Sequence, residues 1–75
     1  MSFEETRARL IAENAEFREL EQQHREYDTL LKELMRRKYL TPEDQLREVE
    51  LKKKKLALKD RMLQMAIEYE QRQQV

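Results

Sequence analysis

Cysteine, glycine and tryptophan are absent from these 75 residues, and proline and histidine occur once each. Without cysteine there is no disulfide framework, no thiolate nucleophile and no cysteine-based zinc site, a pattern that fits a reducing cytoplasm. Without glycine there is no backbone cradle for a phosphate or an oxyanion. Net charge is missing too. Sixteen Lys and Arg balance sixteen Asp and Glu, whereas nucleic-acid-binding domains are usually cationic overall. No apolar run approaches the length of a membrane span, and the stretch from Met1 to Glu5 lacks the basic and apolar regions of a signal peptide. A cytoplasmic location is therefore expected.

What remains is a helix-forming composition. Charged residues make up 43% of the chain, and leucines recur every three or four positions, a period that argues for long amphipathic helix over disorder. One helical period runs from about Phe3 to Tyr39, which would span about 55 Å as one straight helix. The break follows at Leu40 and Thr41. Thr41 has the chemistry of an N-cap, Pro42 suits the first helical position, and Glu43 and Asp44 face the positive end of the helix dipole. A second helix is expected over 42–72, with a frayed tail at 73–75. Eight acid-to-base pairs spaced i, i+4, among them Glu21/Arg25, Asp28/Lys32 and Glu48/Lys52, support helix on both sides of the break. So short a connection makes the helices antiparallel neighbours. The predicted fold is all-α, a single two-helix hairpin of coiled-coil type.

Two heptad tracks mirror each other across the break. One holds Phe3, Leu10, Phe17, Leu20, His24, Tyr27, Leu31 and Leu34; the other holds Leu46, Val49, Lys53, Leu56, Asp60, Leu63, Ile67 and Glu70. Folding one on the other sets Leu34 by Val49, Tyr27 by Leu56, Leu20 by Leu63, and the only histidine, His24, by Asp60. A carboxylate beside an imidazole fixes its tautomer, but no nucleophile joins this pair, since Tyr27 is a weak candidate and the Ser and Thr hydroxyls fall elsewhere. A polar core pair that locks the register is the expected role. A His24 bond to Asp28, one turn along its own helix, is the alternative. Metal binding by His24, Asp28 and Asp60 has no spacing support. No catalytic residue, cofactor or small-molecule substrate is expected.

A chain this short buries a small fraction of its surface, so a partner is expected. Leu51, Leu58, Met62, Met65 and Tyr69 form a second apolar stripe outside the predicted seam, and an exposed stripe of that size usually marks an interface. The expected use is self-association of two hairpins into a four-helix bundle, with an adaptable methionine surface for another protein as the second option. Residues 1–28 carry four bases and eight acids, and residues 29–59 carry ten bases and five acids. The turn end is thus basic, with Arg36, Arg37, Lys38 and Arg47 at its tip. This polarity favours an antiparallel dimer. It also raises an alternative function, binding of nucleic acid or an anionic membrane surface through the tip. Lys52 to Lys55 add less than their number suggests, because four consecutive helical residues point four ways.

The segments His24-Arg25-Glu26-Tyr27-Asp28, Leu30-Leu31 and Leu51-Lys52-Lys53-Lys54-Lys55-Leu56-Ala57-Leu58-Lys59-Asp60 resemble the YdcH-like group of small bacterial proteins. The group's pattern is a histidine followed three residues on by a large residue, and a Lys-Leu-x-Leu-Lys-Asp segment. It falls here on His24, Tyr27, Leu56, Leu58, Lys59 and Asp60, and the likeness covers roughly Phe17 to Ile67. The resemblance implies a bacterial helical hairpin with no established biochemical activity. One departure is the connection, where Thr41 and Pro42 replace a longer polar link.

Overall fold

In the computed structural model, which describes residues 2–73, three helices follow one another: α1 (Phe3–Glu13), α2 (Ala15–Met35) and α3 (Pro42–Gln73). No strand occurs among the described residues. Gln74 and Val75 of the predicted tail lie outside the described residues, and Gln73 is helical.

The first helix is therefore not continuous, and the reason is Asn14. Its backbone is extended, with φ −126° and ψ 113°, and its side-chain oxygen accepts the Phe17 N–H at 3.0 Å, capping α2. Arg18 reaches back to donate to the carbonyl oxygens of Ile11 at 2.8 Å and Ala12 at 3.2 Å, which would otherwise end α1 without partners. One residue thus reverses the chain. α1 folds back antiparallel to α2, bringing Arg7 onto Glu21 and Phe3 to the same recess as His24. The start of α1 is set by Ser2, whose hydroxyl accepts the Glu5 N–H at 3.2 Å.

α2 stops at Met35, four residues short of the predicted end. Arg37 leaves the helix and pairs with Asp44 at 2.8 Å, drawing the loop across the start of α3. That start follows the expected pattern. Asp44 N–H donates to the Thr41 hydroxyl at 3.1 Å, and Thr41 N–H donates back to Asp44 Oδ2 at 3.2 Å, a reciprocal capping box with Pro42 as first helical residue.

α2 and α3 run antiparallel, and the core along them forms two clusters. Near the turn, Leu31, Leu34 and Leu51 are buried, with Tyr27 and Leu40 packed against them. At the other end, Phe17, Met62, Met65, Ala66 and Tyr69 are buried under α1, which adds Leu10 and the partly buried Ile11. α1 is also held by polar contacts. The fully buried Thr6 donates its hydroxyl to Glu70 Oε1 at 2.8 Å, and Arg7 forks onto the buried Glu21, with Nε 3.2 Å from Oε2 and Nη2 on Oε1.

This packing reverses the predicted roles of the two stripes on α3. Leu51, Met62, Met65 and Tyr69, expected on an outer interface, are in the core, and Leu58 is half-buried between the clusters. Leu46, Val49, Leu56, Leu63 and Ile67, expected in the seam, are each 46–62% exposed. Charge decides between the two. The predicted seam would have buried Lys53 and Asp60, whereas the stripe that is buried carries only Lys55, whose amine reaches Asp28 at its edge. Asp60 is exposed on α3, and the predicted His24 to Asp60 contact is not made.

Candidate interaction surface

Every large apolar residue of the predicted α3 seam is now on the solvent side. Leu46, Val49, Leu56, Leu63 and Ile67, with Lys53 and Asp60 between them, keep the alternating spacing of three and four residues that defines a helix-pairing seam. At about 100° per residue, the centre of this stripe lies roughly 160° around α3 from the buried one. α3 is thus apolar on two opposite faces, and α2 and α1 cover only one of them. Over the 22 residues from Leu46 to Ile67 the open stripe is about 30 Å long. Its edge is continued by Phe3, about half exposed, which shares a recess with Leu63, Met62 and Lys59.

The charges along α3 fall into two groups. Lys52 bonds Glu48 at 2.7 Å, Lys55 bonds Asp28 at 2.6 Å, Lys54 stands over the Tyr27 ring at 6.0 Å, and Arg61 meets Glu16 at 3.1 Å. Lys52 is thus engaged along its own helix, while Lys54 and Lys55 both reach α2. Among the described residues, Lys53 and Asp60, the two charges on the open stripe, make no ion pair. Asp28 carries the largest electrostatic perturbation: hydrogen bonds first from Lys55 and then from Lys32, at 2.9 Å, lower its pKa from 3.8 to about 2.

His24 lines a recess together with Phe3, Arg7, Glu21, Lys59, Met62 and Leu63. Its Nε2 is buried without a hydrogen-bond partner, and it makes no bond to Asp28, which is taken by the lysines. Glu21 beside it is held below the usual carboxylate range by the Arg7 hydrogen bond, against the opposing effect of burial. No group of three or more metal-ligating side chains occurs among the described residues.

At the tip, Arg36, Arg37, Lys38 and Arg47 are all exposed, but Arg37 is engaged by Asp44 and Lys38 lies 5.8 Å from the centre of the Tyr39 ring. No described helix is long and apolar enough to cross a membrane.

Two features were missed in the sequence, the corner and the buried ion pair. The corner had a signal in Asn14-Ala15-Glu16-Phe17, a cap residue with an acid in the first turn that follows. Arg7 and Glu21 had none, since they meet only because α1 turns back.

The fold and surface define a class: a small all-α protein with a filled inner seam and an open heptad stripe on its longest helix. Residues 17–66 match the family described as Protein of unknown function (DUF465), and the chain belongs to that family. No curated protein and no solved structure matches the chain. The matched segment takes in nearly all of α2, the turn and most of α3 and leaves out α1.

Proposed function

We propose that this is a non-enzymatic interaction protein that associates with a second copy of itself through the outer face of α3. The observation that carries the proposal is the stripe of Leu46, Val49, Leu56, Leu63 and Ile67, which stays open after the chain has filled its own core. Solvent-facing apolar residues are ordinary when scattered. Here they follow one another at pairing intervals along a single helix, and that arrangement buries surface only against another helix. A dimer of this kind joins α2 and α3 of two copies into a four-helix arrangement, with each α1 on its outer flank. The resemblance of His24 to Asp28 and of Leu51 to Asp60 to the YdcH-like proteins lies within the matched segment, and the proposal places the chain with that group, in the cytoplasm.

The test is the mass in solution. Light scattering at micromolar concentration is expected to give twice the chain mass of 9.3 kDa. Leu56→Lys with Leu63→Lys is expected to halve that mass with helix content unchanged, because both side chains already face water. Met62→Lys, by contrast, places a charge in the core and lowers the unfolding temperature. A wild-type chain that stays monomeric and folded refutes the proposal.

A further inference from the structure

Resting on that reading, we infer that the second copy lies antiparallel along the stripe, with Lys53 of each copy paired with Asp60 of the other. In a parallel dimer in register, Lys53 faces Lys53 and Asp60 faces Asp60, so each charge meets its like in the middle of an apolar seam. Such contacts are costly where water is excluded. Reversing one copy removes both clashes. With the two-fold axis at the level of residue 58, Val49 stands opposite Ile67, Lys53 opposite Leu63 and Leu56 opposite Asp60, all seven-residue positions a against d. Lys53 of one copy then lies within one helical turn of Asp60 of the other, and the two-fold makes that contact twice.

Three observations meet in this register. Lys53 and Asp60 are the charges that interrupt the stripe, and neither has an ion-pair partner among the described residues of its own chain. Lysine carries its amine to the edge of an apolar contact on a flexible stem, so its methylenes add to the seam while its charge reaches the aspartate. The wider charge pattern agrees: ten bases and five acids in residues 29–59 lie toward the turn, and four bases and eight acids in residues 1–28 lie toward the other end. Antiparallel copies set each basic end beside an acidic one. Residues of opposite sign inside an apolar seam also select orientation, because the antiparallel arrangement brings unlike charges within reach and the parallel one sets like against like.

The absence of native cysteine makes the register directly measurable by cross-linking. Val49→Cys and Ile67→Cys are prepared separately and treated with a short bismaleimide, alone and mixed. The antiparallel register predicts a cross-linked dimer in the mixture and little in either variant alone. Efficient linking of each variant to itself would establish the parallel arrangement and overturn the inference. A species of dimer mass that links in none of the three samples would place the contact elsewhere on the molecule, overturning the inference while leaving self-association standing. A monomer would remove both. The second arm uses charge. Lys53→Glu and Asp60→Lys are each expected to raise the dissociation constant about tenfold or more, and the double variant to restore it. Single variants that bind as the wild type does would also overturn the pairing, since in a parallel dimer each substitution only exchanges one like-charge contact for another.

Discussion

At the scale of single residues, His24 shows that a polar side chain inside a helical packing is not always a lock. Its Nε2 is buried and unpartnered, and Asp28, the carboxylate one helical turn along, is occupied by Lys55 and Lys32. A buried nitrogen without a partner costs more than an apolar group of similar shape at the same place. His24→Leu is therefore expected to leave the unfolding free energy unchanged or raise it by about 1 kcal/mol in urea titration; a register lock would instead show a loss. Asp28 behaves in the opposite way. Its folded pKa, about 2, lies below the ordinary 3.8, so its contribution is complete above pH 4 or so and fades as pH falls from there toward 2. Glu21 and Asp44 are lowered as well and act in the same direction. The thermal midpoint should decline on acidification over that window, and Asp28→Asn should make the decline shallower. Thr41, Pro42 and Asp44 were legible from the sequence because capping is local chemistry. The environment of His24 was not, since it depends on which face of a helix 36 residues away turns inward.

At the scale of elements, the corner at Asn14 and the two faces of α3 decide the architecture. Helical periodicity continues across Asn14, because α1 and α2 each present an apolar stripe and the two happen to stay in phase. The cap, a matter of one side chain, is what separates them. Asn14→Ala removes the bond to Phe17 and favours uninterrupted helix, so it should cost about 0.5–2 kcal/mol of stability. Limited proteolysis should then cut the residues of α1 earlier than in the wild type; Asn14→Asp, which keeps an acceptor, should not show this. On α3 the sequence correctly disclosed two apolar stripes. It did not disclose their assignment, because both have seven-residue spacing and both pair leucine with leucine against α2. The difference lay in the charges that each would bury. Lys53 and Asp60 on one stripe weigh against it, and Ala66 and Tyr69 on the other pack against Phe17 and Leu10 once α1 has turned back.

At the scale of the whole molecule, the shape limits how much apolar surface one copy can bury. The principal extents are 52 × 20 × 16 Å, and the radius of gyration is 15.4 Å, against about 11 Å for a compact chain of this length. A rod this thin has little interior. Its buried apolar residues form two separate clusters, with Asp28, Lys55, His24 and the half-buried Leu58 between them. The all-α class and the extent of α3 could be read from composition, periodicity and the capping signal at Thr41 and Pro42, whereas the division of the predicted first helix and the third layer at one end could not.

The backward turn of α1 has one more consequence. Because α1 is joined to the groove it fills by a single extended residue, it acts as a ligand on a very short tether. Its local concentration at Phe17, Met62 and Tyr69 is then set by the linkage and not by the amount of protein, in the millimolar range typical of short connections. Any free segment seeking that groove competes against this resident peptide, while the opposite face of α3 has no such occupant. The chain thereby withholds one of its two apolar faces from association and leaves the other available.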